Sequence, residues 1–279
     1  MYLPLQKLGH EVYLYDTVNP AEKNFKKVVD NFKPDLIFCC FTGDKNITPY
    51  EPWEDIARET QSGRTKTFNW YCDDQWRFDN FSRVTCWNFN CVSTPDPNYI
   101  SEYKKIGYSN ILEGIWHANA DLYPLIQFDK KDIPLSFMGA VTPSRQTFFN
   151  LCDLPIQTAS NLTHDQMMNF FSRSQIGINL SKNDNDVLKK TQIKQRIFEI
   201  TAGQSMLFTE YHKGIEKYYT VDREIITFQT IEECRLKGEF LLKNPQIVKR
   251  IAEAGYVRFC REHESSKRLS KLLNEIERL

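Results

Sequence analysis

Short apolar runs alternate with amphipathic segments along the first half of the chain. The amphipathic segments at 21–32 and 97–107 carry apolar residues every three or four positions, a spacing that predicts helices. Gly9 and Gly107 stand where the C-caps of such helices are expected. The apolar runs have the length of β-strands: EVYLY (11–15), DLIFCCF (35–41), KTFNWYC (66–72), CVSTP (91–95) and NILEGIW (110–116).

The same alternation restarts after the segment 118–132. The second set of predicted strands comprises IPLSFMG (133–139), SQIGINLS (174–181), SMLF (205–208) and EIITF (224–228), and helical patterns lie between them. Alternating strands and helices predict parallel sheets with right-handed crossovers. We therefore expect an α/β fold with two Rossmann-like domains, residues 1–125 and 126–262, facing a cleft. An apolar stripe from Leu269 to Leu279 predicts that a C-terminal helix, 263–279, crosses back to the N-terminal domain.

Composition narrows the classes of function. The 279 residues have a formal net charge of +0, which disfavours general binding to nucleic acid or to an anionic membrane surface. No secretory signal and no apolar stretch of membrane-spanning length is visible, so no integral membrane segment is expected. The eight cysteines form no C-x-x-C pair and no cluster with zinc-ligand spacing, so we expect no metal, no cofactor and a reducing, cytoplasmic location.

Three familiar catalytic motifs are missing from the sequence. It has no G-x-G pair, which the dinucleotide fingerprint needs, and no G-x-x-x-x-G-K-[ST] phosphate loop. A G-x-S-x-G nucleophile elbow is also absent. Hydride transfer, P-loop phosphoryl transfer and α/β-hydrolase chemistry thus lack their sequence markers.

The stretch TQIKQRIFEITAGQSMLF, which begins at Thr191, carries the most informative charges. It predicts a helix that bears Lys194, Arg196 and Glu199 and leads directly into a buried strand. Cations near a helix N-terminus favour an anion in front of them, and a carboxylate one turn later can accept bonds from two vicinal hydroxyl groups. This combination fits a nucleoside diphosphate. The alternative is a surface Arg196–Glu199 ion pair worth a few tenths of a kcal/mol, roughly as for other helix pairs.

Five segments in order resemble the group-1-like glycosyltransferases, and in particular the spore-maturation type. They are KLGHEVYLYD (7–16), FNWYCDDQWRFD (68–79), ILEGIWHANADLYPL (111–125), LSFMGAVTPSR (135–145) and the K-x-R-x-F-E helix with the strand after it. The resemblance spans nearly the whole chain. It implies the GT-B fold, in which the second domain holds most of a nucleotide-sugar donor.

The resemblance also implies roles for individual residues. Lys194, Arg196 and Arg145, the last of these beginning the helix after the Gly139 turn, would stabilise the leaving diphosphate without a metal. Glu199 would hold the ribose hydroxyl groups. Other residues are candidates for catalysis: Asp73 and Asp74 at the carboxyl end of a strand in the first domain, and His117 beside the interdomain linker. These residues have alternative roles. Arg145 could be a solvated arginine, Asp73 and Asp74 a helix-capping pair, and His117 a structural histidine.

The chain departs from the family pattern at two points. The family usually begins with a strand and a glycine turn, whereas this sequence starts inside the following helix, so we expect the first domain to lack its usual first strand. A fragment or an incomplete acceptor side would give the same pattern. Gln75 stands where the family has a proline, which changes the loop after Asp74.

The predicted function is metal-independent transfer of a sugar from a nucleotide-sugar donor to a hydroxyl group of a glycan or another acceptor. Two alternatives remain at this point. One is a non-catalytic or degenerate GT-B module that binds nucleotide sugars or glycans. The other is a nucleotide-sugar epimerase with the same architecture.

Overall fold

A computed structural model describes residues 1–114, 116–182 and 191–279. The chain forms two compact units, the first comprising Met1–Ile115 together with Leu269–Leu279 and the second comprising Trp116–Arg268. The domain boundaries given above stay predictions. No helix in the described part of the chain is long and apolar enough to cross a membrane.

The first unit alternates helices with four short strands. Its helices are α1 (Tyr2–Lys7), α2 (Phe25–Phe32), α3 (Trp53–Ser62), α4 (Asp74–Arg77), α5 (Arg83–Thr85) and α6 (Asn98–Lys105), with a π-helix at Phe78–Ser82 and a 3₁₀ turn at Cys86–Asn88. Its strands are β1 (Leu36–Cys39), β2 (Lys66–Trp70), β3 (Cys91–Thr94) and β4 (Ile111–Glu113). The left-handed glycines Gly9 (φ +90°) and Gly107 (φ +88°) lie just beyond α1 and α6, which confirms both predicted C-caps.

The strands of the first unit form a parallel sheet in the order β1-β2-β3-β4. The prediction of a strand at 11–15 is wrong, because that segment pairs with no strand of this sheet and both Tyr13 and Leu14 are exposed. Alternating apolar residues favour a strand only if a neighbouring strand accepts and donates the ladder hydrogen bonds. The other four predicted strands are confirmed, each shorter than its apolar run, and Ile115 of the fourth run lies outside the described residues.

The last helix, α12 (Ser265–Arg278), places its apolar stripe in the interior. Leu269, Leu272 and Ile276 are buried, whereas Leu279 is half exposed. Within the first unit, Lys66 Nζ donates a hydrogen bond of 2.9 Å to the Ile276 carbonyl oxygen. The apolar stripe is thus a buried face and not an exposed one.

The second unit is a larger α/β array. Its helices are α7 (Pro143–Cys152), α8 (His164–Arg173), α9 (Arg196–Ala202), α10 (Ile231–Lys243) and α11 (Pro245–Glu262), and 3₁₀ turns occur at Ala120–Leu122, Phe128–Lys130 and Ile215–Lys217. Its strands are β5 (Ile133–Met138), β6 (Gln157–Ala159), β7 (Ser174–Asn179), β8 (Met206–Glu210) and β9 (Ile226–Phe228).

The strands of the second unit are all parallel and follow the order β6-β5-β7-β8-β9. The hydrophobic pattern predicts every strand except β6, whose residues Gln157–Ala159 offer no apolar run. It also misses α8, although the Thr163–Gln166 capping box is a sequence signal for the start of a helix.

Helix α9 lies directly on the sheet of the second unit. Gly177 on β7 leaves the space for it, since a Cβ there would come within 2.7 Å of the Ile200 side chain. Six of the seven residues of α9 are buried. The sheet therefore fixes the position of the helix that carries Arg196 and Glu199.

Truncating a central side chain should show that the β8 core carries the stability of the second unit. Phe208→Ala should lower the free energy of unfolding by about 3–5 kcal/mol, because Phe208 is fully buried and the substitution removes a whole ring from the core. The matched control is Phe240→Ala on α10, where the ring is 53% exposed and the expected change is within about 0.5 kcal/mol. Urea unfolding would measure both values, and equal losses would contradict the assignment of the core.

Candidate functional site

Arg196, the first residue of α9, reaches to the carboxyl end of β5. Its Nη1 donates a hydrogen bond to the carbonyl oxygen of Met138, the last residue of that strand. The guanidinium lies 5.7 Å from the centre of the Phe171 ring. In parallel α/β sheets, ligands bind beyond the carboxyl ends of the strands, so Arg196 is anchored where a ligand is expected.

Glu199 lies beside Arg196 on the same face of α9, as their spacing predicts. Arg196 Nε and Glu199 Oε2 are 3.3 Å apart, close enough for an ion pair. The N–H is nevertheless not aligned with the carboxylate, and within the described residues neither atom has a hydrogen-bond partner. The pair does not lie on the surface, as the alternative interpretation requires, because the Glu199 side chain is only 8% exposed. A buried carboxylate oxygen with an unused acceptor position is rare and marks a site for a donor group.

Burial perturbs both charges of this pair. Desolvation lowers the pKa of Arg196; the Glu199 carboxylate opposes that shift, and the nearby Arg145 guanidinium adds to it. Desolvation likewise raises the pKa of Glu199, and Arg196 opposes the change. Tyr123 is buried beside the pair, and its pKa is raised first by desolvation and then by the Glu199 charge. The site thus carries two cations and one carboxylate with little solvent to screen them.

Arg145 and Gly139 lie at the same end of β5. Gly139 follows the strand with φ +145°, and a Cβ there would lie 3.8 Å from Arg145 Nη1. Arg145 Nη1 donates a hydrogen bond of 2.8 Å to the Ala140 carbonyl oxygen, and its guanidinium lies 5.6 Å from the centre of the Phe137 ring. The Thr142 side chain caps α7 by accepting a bond from the Arg145 backbone N–H. The turn therefore holds Arg145 at the same end of β5 as Arg196.

The predicted position of Lys194 on the helix is wrong. The helix begins at Arg196, so Lys194 precedes it, and its Nζ donates a hydrogen bond of 2.8 Å to the Lys182 carbonyl oxygen. With only seven residues, α9 is also too short for its dipole to be a strong argument for anion binding. Arg196 and Arg145 supply positive charge at this end of β5, and the predicted phosphate-binding role of Lys194 stays a prediction.

A junction between the C-terminal ends of α8 and α9 supports the site, although the sequence does not predict it. Lys131 is buried and its Nζ donates to the carbonyl oxygens of Ser172 (2.5 Å) and Gly203 (2.9 Å). A Cβ on Gly203 would come within 2.9 Å of Phe171. Since the Phe171 ring faces Arg196, this junction fixes one wall of the site. A lysine in a linker and a glycine after a helix are too common to signal such a role.

In the first unit, Asp73 and Asp74 follow β2 as predicted, but their surroundings differ. Asp74 is fully buried and accepts hydrogen bonds from Tyr103 Oη at 3.1 and 3.3 Å. Desolvation raises the pKa of Asp74 to about 6, against bonds from Ser82, Thr94 and Tyr103 that lower it. Asp73 is partly exposed and occupies the N-cap position of α4 without a side-chain capping bond. Asp73 is therefore the more accessible carboxylate of the two.

His117, in the second unit, is buried in a structural contact. Its Nδ1 lies 2.7 Å from Ser265 Oγ, and the ring is 8% exposed. Desolvation lowers the pKa of His117 to about 3, and the Arg268 charge acts in the same direction. The imidazole is therefore neutral at physiological pH. Its predicted catalytic role stays a prediction.

The sequence pattern of glycosyl transferase-like proteins matches residues 125–274. This segment covers more than half of the chain and contains all the residues at the carboxyl end of β5 described above. The chain belongs to the glycosyl transferase-like family. No curated protein matches it in sequence.

Solved structures share the fold at low sequence identity. The Anabaena protein HepE, solved in complex with UDP-glucose, is 10% identical, with a TM-score of 0.66 over 100% of this chain and 89% of that chain. A glycosyltransferase from Rickettsia africae is 12% identical, with a TM-score of 0.62 over 99% and 87% of the two chains. AviGT4, a glycosyltransferase involved in avilamycin A biosynthesis, is 11% identical, with a TM-score of 0.58 over 99% and 87%. These likenesses and the family match confirm the predicted GT-B fold and the glycosyltransferase class.

Adding one methyl group at the α8–α9 junction should disturb the site from a distance. Gly203→Ala should lower the free energy of unfolding by about 1–3 kcal/mol, because the new Cβ meets the Phe171 backbone and side chain. It should also weaken nucleotide binding through the shift of Phe171 beside Arg196. The matched control is Gly214→Ala, which adds its methyl group to open space at φ +98°. The control should lose about 1 kcal/mol from backbone strain alone and keep its nucleotide affinity.

Acid should destabilise the fold through its buried histidines. Desolvation lowers the pKa of both His117 and His263 to about 3, below the value of about 6.5 expected in the unfolded chain. Between these values the unfolded state binds more protons, so stability is complete above pH 6.5 and falls as the pH drops toward 3.

His117→Asn removes one of these titrations and should flatten the fall in unfolding free energy between pH 6.5 and 4. Each pKa unit of difference corresponds to about 1.4 kcal/mol as an upper limit. His10→Asn makes the same change of side chain at an exposed position and is the control. Parallel slopes for all three proteins, measured by chemical unfolding at each pH, would contradict a buried neutral His117.

Proposed function

We propose that the second unit binds a nucleoside diphosphate sugar and that the chain transfers the sugar to a hydroxyl group of an acceptor. The observation that carries this proposal is the buried Arg196–Glu199 pair, anchored to Met138 at the carboxyl end of β5 with one carboxylate oxygen unused. The family and the fold agree with it, and HepE is a neighbour solved with UDP-glucose. Measuring the release of nucleoside diphosphate from a panel of nucleotide sugars, with and without acceptors, tests the activity.

The diphosphate is assigned to the two arginines. Arg196 and Arg145 bond to the carbonyl oxygens of Met138 and Ala140 at the end of β5, and the Arg145 charge lowers the pKa of Arg196. A bound diphosphate compensates these two positive charges, and arginine geometry suits bidentate bonds to phosphate oxygens. Gly139 suits a close approach of a ligand to the backbone, because it has no side chain at the end of β5. Lys194 is left as a third predicted cation.

The ribose is assigned to Glu199. Its unused Oε2 is buried, so a ribose hydroxyl group that donates to it satisfies an acceptor that otherwise remains desolvated. The Arg196 Nε, which lies 3.3 Å from this oxygen, also lacks a hydrogen-bond partner within the described residues. One nucleotide thus completes two buried polar groups that the folded chain leaves incomplete.

The sugar is transferred while the nucleotide is bound by Glu199 and the two arginines. The acceptor hydroxyl oxygen bonds to the anomeric carbon, the bond from that carbon to the diphosphate oxygen breaks, and the diphosphate leaves with the electron pair. Arg196 and Arg145 stabilise the negative charge that grows on the leaving group. We assign the role of base for the hydroxyl proton to Asp73, because Asp74 and His117 are buried in internal contacts.

The cellular compartment of the protein is also a proposal. All eight cysteines are present as thiols in the structure, and five of them are buried. Thiols in this number persist where cellular reductants keep them reduced. We therefore place the protein in the cytoplasm.

Two substitutions separate the proposed contacts. Arg196→Ala should weaken binding of a nucleoside diphosphate more than binding of the nucleoside, by roughly 10–100-fold for a charge-assisted bond of 1.5–3 kcal/mol. Glu199→Gln should weaken a ribonucleotide more than its 2′,3′-dideoxy analogue. Isothermal titration with each ligand pair measures both preferences.

Arg173→Ala is the matched control for Arg196, since Arg173 forms an exposed pair with Asp132 on the end of α8. Its nucleotide affinities should equal those of the wild type. Equal losses for nucleoside and nucleoside diphosphate in Arg196→Ala would remove the diphosphate assignment. Intact binding without any transfer would instead indicate a non-catalytic nucleotide-sugar-binding module.

Transfer should continue without a divalent cation, because two arginines supply the positive charge that a metal would otherwise provide. Turnover in EDTA should match turnover in magnesium or manganese within about twofold. A tenfold difference in rate would correspond to about 1.4 kcal/mol of activation free energy. Loss of turnover in EDTA and its recovery with added metal would overturn this part of the mechanism.

A further inference from the structure

Two buried cysteines meet in the core of the second unit. Cys152 is the last residue of α7 and Cys234 lies in the first turns of α10, 82 positions later. Their sulfur atoms are 3.2 Å apart, and both residues are fully buried. The bond length of a disulfide is about 2.05 Å, so an approach of roughly 1.2 Å would join them.

The packing of the two helices keeps these thiols together. Gly238 is one turn further along α10, and a Cβ there would come within 2.3 Å of Leu154, just after the end of α7. This close approach brings the start of α10 against the end of α7. Thr230 caps α10 by accepting a hydrogen bond of 3.1 Å from the Glu233 N–H, which fixes where the helix begins. The thiols thus lie at a junction that several contacts define.

The two thiols differ in their surroundings. The hydrogen bond shared with Cys234 lowers the pKa of Cys152; burial opposes this shift, and the Arg235 charge supports it. The same shared bond, followed by burial, raises the pKa of Cys234. The Arg235 charge thus favours a thiolate at Cys152, and the thiolate is the reactive form.

We propose that Cys152 and Cys234 are an oxidisable pair that closes a disulfide within the second unit when the protein meets a peroxide. The pairing rests on the distance and the packing of the two helices, and is independent of the function proposed above.

The reaction balances with peroxide as the only oxidant. The Cys152 thiolate attacks one oxygen of hydrogen peroxide, the O–O bond breaks, and hydroxide leaves, which takes up a proton to form water. The Cys234 sulfur then attacks the sulfenic sulfur of Cys152, the S–O bond breaks, and a second water leaves. Two thiols are oxidised, and one peroxide is reduced to two waters. Because both thiols are buried, the first step requires a transient opening of the α7–α10 contact.

The test uses the full-length protein, treated with hydrogen peroxide and digested under non-reducing conditions. Mass spectrometry should find the peptides of Cys152 and Cys234 linked and two hydrogen atoms lighter than the separate thiols, and dithiothreitol should separate them. The oxidised protein should also unfold about 5–15 °C higher than the reduced protein, because the disulfide closes a long loop. Cys234→Ser should abolish both the linked peptide and the thermal shift.

Cys91→Ser is the matched control, since Cys91 is buried in the first unit and should leave the linkage and the shift unchanged. Links between Cys152 and other cysteines at equal yield, or sulfinic acid at Cys152 with no linked peptide, would overturn the proposal. If Cys234→Ser fails to fold, the wild-type peptide map decides alone. A linked Cys152–Cys234 peptide then supports the pair, and its absence refutes it.

Discussion

The hydrogen bond from Arg196 to the Met138 carbonyl oxygen organises the second unit around its functional end. It ties the first residue of α9 to the last residue of β5, so the helix cannot shift along the sheet without leaving a buried guanidinium unsatisfied. A buried charge without hydrogen bonds is costly, so the folded chain favours the position of α9 in which this bond forms. Glu199 is placed by the same bond, because it stands one turn further along α9.

The pair formed by Arg196 and Glu199 is incomplete in a specific way. The two charges are close, but their hydrogen-bonding groups are not aligned, and burial moves both pKa values against ionisation. Such an arrangement costs stability in the empty protein and leaves polar atoms ready for a ligand. Sites that bind polar ligands commonly keep this kind of unsatisfied group, since a fully satisfied ion pair would have nothing left to donate or accept.

Support for the site comes from interactions that are not themselves near a ligand. Lys131 donates hydrogen bonds to the carbonyl oxygens of Ser172 and Gly203, near the ends of α8 and α9. Gly203, which has no side chain, allows these two helix ends to come into contact. Phe171 transmits that packing to the Arg196 side chain. Elsewhere in the second unit, a similar close approach between α7 and α10 brings two thiols together. Glycine decides both junctions because only a missing side chain permits the contact.

The sequence by itself determined the alternation of strands and helices, and with it the two parallel sheets, because burial on both faces forces near-continuous apolar runs. It also determined that Arg196 and Glu199 share a face, since helix periodicity alone fixes that. Only the tertiary structure decided that Lys194 lies outside α9, that Asp74 is tied to Tyr103 in the interior, and that residues 11–15 have no strand to pair with. It alone brought Cys152 to Cys234 and Lys131 to Gly203. These contacts join residues far apart in the chain, and no local pattern records which distant groups the folding of a sheet will bring together.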